Sequence, residues 1–171
     1  MKPLSQITAA EVMTRSVISA RPDQDLAELE RLLIERRISG VPVVEDGRLV
    51  GVISRSDIAR VEVLMRSLDG QVSDELRWDD TQADGFQHAQ EPEYQGFRRT
   101  IDRLKVRDAM RDQVITCTAT TLLKDVATEM VRQHIHRIIV VEGKRAIGII
   151  SSLDVVGLVA RYATTNASEK V

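Results

Sequence analysis

Residues 39–57 read SGVPVVEDGRLVGVISRSD, and residues 136–154 read HRIIVVEGKRAIGIISSLD. The two stretches align without a gap, and the same shift carries Met13 onto Met110, Val17 and Ile18 onto Val114 and Ile115, Leu26 onto Leu123 and Ile38 onto Ile135. It also matches Val43 and Val44 with Val140 and Val141, Gly51 with Gly148, Ser54 with Ser151 and Asp57 with Asp154. An internal duplication of this length predicts two copies of one supersecondary unit that bury each other's apolar faces. Any ligand site is then expected at the seam between copies.

Within each stretch two β-branched runs flank a turn: Val41 to Val44 and Leu49 to Ile53 around Glu45-Asp46-Gly47-Arg48, and Ile138 to Val141 and Ala146 to Ile150 around Glu142-Gly143-Lys144-Arg145. Glycine accepts the positive φ that a tight hairpin turn demands, so both read as hairpins. Upstream, Leu26, Leu29, Leu32 and Leu33 recur near a 3.6-residue period, as do Leu123, Val126, Ala127, Met130 and Val131. Each set predicts a helix with a core-facing stripe. Before each helix the sequence predicts a short helical lead-in (Thr8 to Met13; Val106 to Met110) and a brief apolar strand (Val17, Ile18; Val114, Ile115). After each hairpin comes a closing helix, Arg55 to Met65 and Ser152 to Ala163. In the second, Leu153, Val155, Val156, Leu158 and Val159 cover more than one face, which hints at a partner subunit.

The copies are separated by about forty residues, far more than an ordinary connection. Trp78, Phe86, Tyr94 and Phe97, four of the five aromatic residues, lie there, and only Tyr162 lies elsewhere. Tyr94, Phe97, Ile101 and Leu104 have helical spacing behind Pro92, while residues 79–91, with His88, read as a solvated loop. The segment is expected to be anchored by its aromatics, either patching the core or capping a ligand.

At 171 residues, 43% hydrophobic, 29% charged and a net charge of −2, the chain has the balance of a globular domain. That argues against nucleic-acid coating. The single cysteine, Cys117, permits no intrachain disulfide, and the opening residues lack the apolar core of a signal peptide, so the expectation is a cytoplasmic protein off the membrane. No Ser/His/Asp order, Walker A sequence or metal-ligand cluster is visible. The sequence therefore predicts neither an enzyme nor a metal site. Cys117 aligns with Ala20 and reads as a packing residue.

The order strand, helix, strand, strand, helix, with Ser-Gly-Val-Pro-Val-Val at 39–44 and Gly-x-x-Ser-x-x-Asp at 51–57 and 148–154, resembles the cystathionine-beta-synthase (CBS) domain. In its doubled form the chain looks like a Bateman module. The resemblance implies an α/β fold of two pseudo-symmetric repeats, each a small three-stranded sheet with two main helices, laid out as a first repeat (1–66), an insert (67–103) and a second repeat (104–171). It also implies a homodimer built through helices, and clefts that take adenosine-containing effectors: AMP, ADP, ATP or S-adenosylmethionine.

In that resemblance Asp57 and Asp154 accept the two ribose hydroxyls, and Ser54 and Ser151 donate to phosphate at a helix start. Ser-x-x-Asp is equally a capping arrangement, and the two roles are compatible. Adenine would lie near Ile18, Ser19, Ala20, Val41 and Pro42 in one copy and Ile115, Thr116, Cys117, Ile138 and Ile139 in the other. His134, His136 and Arg137 resemble the phosphate contacts of nucleotide-sensing CBS proteins such as the gamma subunit of AMP-activated protein kinase, or else compensate a helix end. The first copy departs from the pattern, with Ser39 and Gly40 at the aligned places. The expected function is a regulatory adenine-nucleotide sensor acting on a separate, unidentified effector protein. The alternatives are a ligand-free dimerisation or interaction adaptor, and a sensor of an S-adenosylmethionine or NAD-type ligand.

Overall fold

The computed structural model describes residues 2–68 and 103–168. The aromatic-bearing insert around Trp78, Phe86, His88, Tyr94 and Phe97 lies outside the described residues. In chain order the elements are a 3-10 turn (Leu4–Gln6), α1 (Ala9–Val12), α2 (Leu26–Glu35), β1 (Gly40–Glu45), β2 (Arg48–Ser54) and α3 (Arg55–Leu68). The second copy supplies α4 (Val106–Ala109), β3 (Thr116–Thr118), α5 (Leu123–Arg132), β4 (Arg137–Glu142), β5 (Arg145–Ser151) and α6 (Ser152–Ser168). The α/β class and the repeated order are as the sequence predicts.

The described chain forms two compact units, and neither is a contiguous copy. The first draws on Met1–Ser19, Val44–Gly51 and Asp112–Val171; the second on Ala20–Val43 and Val52–Arg111. The reason lies in the lead-ins, which pack with the other copy's helix. In the first unit the Leu123 N–H donates to the Ile7 carbonyl at 2.8 Å, and the Ala9 N–H to the Thr121 carbonyl at 2.8 Å. In the second unit the counterpart bond runs from the Leu26 N–H to the Leu104 carbonyl at 2.9 Å, and the Val106 N–H donates to the Gln24 carbonyl at 2.9 Å. An ion pair from Lys105 to Asp25 at 2.6 Å closes the same corner.

In the first unit β3 runs parallel to β4, pairing Thr116 with Ile139 and Thr118 with Val141, and β4 runs antiparallel to β5. The register slips between Val140 and Val141, leaving Ile147 as the bulged residue. Ile138, Val140 and Ile150 point to the core with Leu123, Val126 and Met130 of α5 and with Met13 and Leu158. Val131, assigned by periodicity to that helix's core face, is instead 75% exposed. At about 100° per residue it lies past the edge of the stripe that Leu123, Val126 and Met130 define. In the second unit Leu26, Leu29 and Leu33 are fully buried.

The brief first strands do not fall at Val17–Ile18 and Val114–Ile115. The second copy's strand lies just downstream, at Thr116–Thr118, and the first copy's reduces to a single parallel bridge between Ala20 and Val43. Pro22, aligned with Ala119, has no N–H to extend the ladder. The first sheet is therefore two strands, β1 and β2, rather than the expected three.

Two local devices repeat. In the first hairpin Asp46 and Gly47 both have positive φ (48° and 75°), the type I′ geometry, and Gly143 (61°) serves the second. Helices α2 and α5 both end in a Schellman motif: the Ile38 and Ile135 N–H groups donate to the Leu33 and Met130 carbonyls at 3.0 Å. The left-handed residue in each motif is not glycine but Arg37 (φ 52°) or His134 (φ 51°). A side chain there costs about 1 kcal/mol. We expect Arg37→Gly and His134→Gly each to raise the thermal midpoint by a few degrees; an unchanged or lower midpoint in calorimetry would contradict the motif.

Candidate functional site

Each Ser-x-x-Asp sequence closes a strand and starts a helix, and each folds as a capping box. In the first unit the Ser151 N–H and hydroxyl donate to Asp154 Oδ2 at 2.7 and 2.6 Å, and the Asp154 N–H returns to Ser151 Oγ at 3.3 Å. In the second unit the Ser54 N–H donates to Asp57 Oδ2 at 3.0 Å, the Ser54 hydroxyl donates to the same oxygen, and the Asp57 N–H returns at 3.3 Å. The capping reading is therefore realised in both copies. Each serine hydroxyl directs its one proton at the aspartate rather than outward, where a phosphate donor would need it. The start of each helix is also pinned by the residue before the hairpin: the Ser152 N–H donates to the His136 carbonyl at 3.0 Å, and the Arg55 N–H to the Ser39 carbonyl at 2.9 Å.

The two aspartates differ at their other oxygen. Asp57 Oδ1 accepts Arg111 Nε at 2.6 Å and Arg60 Nη1 at 3.0 Å. The carboxylate is only 5% exposed, and burial pushes its pKa up. The Ser54 hydroxyl and the Arg111 guanidinium outweigh that and hold it below the ordinary carboxylate range. Asp154 is half-buried, and its Oδ1 accepts no hydrogen bond among the described residues. Nearby Arg137 is also half-buried; desolvation lowers its pKa, and attraction to Asp154 opposes that, yet its guanidinium makes no side-chain hydrogen bond among the described residues. An acceptor and a fork of donors thus stand with capacity to spare at one turn.

A depressed folded-state pKa means that the stabilisation from Asp57 is present above the unfolded value of 3.8 and is lost as pH falls through the lower folded value. Urea unfolding of the wild type is therefore expected to lose stability more steeply than Asp57→Asn below about pH 4. Parallel acid limbs would contradict the pairing.

The remaining site candidates divide by exposure. In the first unit Ile138 and Ile139 are buried on opposite faces of β4, Ile115 and Cys117 are half-buried against the core, and Thr116 is exposed. Burial pushes the Cys117 thiol up, which suits packing and not nucleophilic chemistry. His134 and His136 have exposed side chains, and His134 owes its position to the helix-ending motif. In the second unit Ala20, Val41 and Pro42 are buried, while Ile18 and Ser19, which fall in the first unit, are exposed. Gly40 stands where the second copy has Arg137, and a Cβ there would lie 2.7 Å from the Ile53 carbonyl oxygen. An arginine cannot be placed at 40 without displacing that backbone. The sequence reading missed Arg111 and Arg60, whose counterparts at 14 and 157 are threonine and glycine. That break in the repeat was the available signal.

Among the described residues no group of three metal-ligating side chains comes together, and no helix is long and apolar enough to cross a membrane.

Residues 9–63 and 106–161 match the family model of the CBS domain. Protein MJ1426 of Methanocaldococcus jannaschii is 30% identical over 153 residues, covering 85% of this chain and 90% of that protein. Protein MJ1225 of the same organism is 32% identical over 146 residues, covering 85% of this chain but only 44% of its own length. The crystal structure of MJ1225 superposes with a TM-score of 0.66 at 25% identity, over 90% of this chain and 48% of that one. The fold is shared as well with CBSX2, solved in complex with AMP: TM-score 0.66, 21% identity, 91% of this chain and 98% of that chain. Two family matches at the positions of the internal repeat, over the same strand-turn-helix corners, place this chain in the CBS domain family as a tandem pair.

Proposed function

We propose that this chain is a regulatory module that binds an adenosine-containing ligand of the AMP, ADP or ATP type at the Asp154 turn and transmits occupancy to a separate protein. One observation carries the reading: Asp154 keeps a carboxylate oxygen without a hydrogen-bond donor beside a half-buried guanidinium, Arg137, that is also without a hydrogen-bond partner among the described residues. A ribose diol supplies two O–H donors to Asp154, and a phosphate supplies the acceptors that Arg137 can hold bidentately. His134 and His136 flank that phosphate, and Ser151 serves by fixing the aspartate. The apolar wall for adenine comes from Ile115, Cys117 and Ile139, with Thr116 at the edge. In the second unit the corresponding set is Asp57, Ser54, Ala20, Val41 and Pro42. Binding biases the conformation of the pair, and the effector reads that bias.

The family likeness and the AMP complex of a shared fold support this reading. Titration calorimetry of the full chain with AMP, ATP, NADH and S-adenosylmethionine tests it. AMP or ATP is expected to bind more tightly than S-adenosylmethionine, whose cationic sulfonium would approach Arg137. Absence of heat with every ligand would overturn the sensor reading.

A second reading, an adaptor that works through association, draws on α6, where Leu153, Val156 and Val159 are 78%, 62% and 53% exposed. Apolar residues at this spacing form one unpartnered row, which suits a homodimer face. Sedimentation at increasing protein concentration separates a self-associating chain from a monomeric one.

A further inference from the structure

The two copies present the same turn but do not leave it in the same state. Residues 14 and 111 occupy equivalent places, each held in a two-way bridge to the strand before the turn. The Thr14 and Ile149 backbones exchange hydrogen bonds at 2.9 and 3.0 Å; the Arg111 and Val52 backbones do so at 2.9 Å each way. From that shared position threonine makes no bond to Asp154, whereas the arginine reaches Asp57 at 2.6 Å. Arg60 adds a second donor at 3.0 Å from a place where the other copy has Gly157. With the Ser54 N–H and hydroxyl on Oδ2, the Asp57 carboxylate has two donors on each oxygen.

We infer that Arg111, assisted by Arg60, occupies in the second unit the carboxylate oxygen that a ribose diol would need, so that residue 111 sets the number of nucleoside sites on the chain at one. The inference rests on the reading of Asp154 as the ribose acceptor. A diol entering at Asp57 must exchange two bonds from cationic guanidiniums for two from neutral hydroxyls at an almost fully buried carboxylate. The two guanidiniums, whose side chains are more than half exposed, would be released to water. At Asp154 the same diol displaces nothing. Arg111 is thus a specificity-determining residue that acts by filling a site, and threonine, its counterpart in the other copy, is the side chain that opens it.

The test compares the wild-type chain, Arg111→Thr and Arg111→Gln by titration calorimetry with AMP, with Asp57 followed by carbon-detected carboxyl NMR. The wild type is expected to bind one AMP per chain and at least one open variant to bind two, the second site lost again when Asp57→Asn is added. The Asp57 titration midpoint should rise once Arg111 is gone. Two sites in the wild type, or an Asp57 midpoint that does not move in either folded variant, would overturn the inference. So would a single site in variants whose Asp57 has been freed. A wild type that binds no AMP sinks the functional reading instead, and the carboxyl titration then still decides whether Arg111 holds Asp57. The glutamine variant keeps the test available if threonine at 111 loosens the bridge to Val52.

Discussion

Asp154→Ala is expected to erase the stabilisation that AMP gives the wild type. At a hundredfold excess of ligand over Kd, a single site adds about 2.7 kcal/mol. For a chain of this size, that lifts the thermal midpoint by roughly 5–11 °C. The alanine variant should melt at one temperature with or without AMP. Its baseline will be lower too, because Asp154 accepts the Ser151 N–H and hydroxyl and starts α6; losing such a cap costs about 0.5–2 kcal/mol. Ser151→Ala separates the effects. It removes the hydroxyl half of the cap yet leaves the carboxylate, so its baseline should fall while most of its AMP response survives. A full AMP shift in Asp154→Ala would remove the carboxylate from the site.

A larger loss of stability is expected from Leu29→Ala. Leu29 is completely buried in the middle of α2, flanked by Leu26 and Leu33 on the same stripe. Truncation removes its transfer energy and leaves a cavity that rigid neighbours fill only in part, a cost of about 2–5 kcal/mol. Urea unfolding should show a lower midpoint with an unchanged slope. Val131→Ala is the matched control, since that side chain is 75% exposed and its loss should stay within about 0.5 kcal/mol. Equal effects from the two would contradict the assignment of core faces.

The elements were legible because a period of two or 3.6 and a turn glycine leave little choice; Asp46-Gly47 fixes a hairpin whatever surrounds it. Pairing between distant segments was less so. Nothing in the pattern of Thr8 to Met13 says which copy's helix it will join, and the backbone bonds from Leu123 to Ile7 and from Leu26 to Leu104 show that each lead-in joins the other copy's. The first strands were displaced because Val17 and Ile18 are more apolar than the residues that pair. Threonine at 116 and 118 serves an edge strand as well as valine does. At the site, the repeated Ser-x-x-Asp was visible and its capping geometry followed. The inequality of the two aspartates was not legible, because Arg111 lies 54 residues from Asp57, just past the opposite copy's lead-in. The breaks in the repeat at positions 14 and 111 and at 60 and 157 carried that information.

If Asp154 recognises ribose hydroxyls, a cycle of four affinities will reveal it: AMP and 2′,3′-dideoxyadenosine monophosphate, each against the wild type and Asp154→Ala. Removing the hydroxyls or the carboxylate should each weaken binding at least tenfold, and removing both should weaken it no further than either alone, because the same hydrogen bonds are lost. Dideoxy ligand bound by the wild type as tightly as AMP, or losses that simply add, would rule out a ribose contact at Asp154.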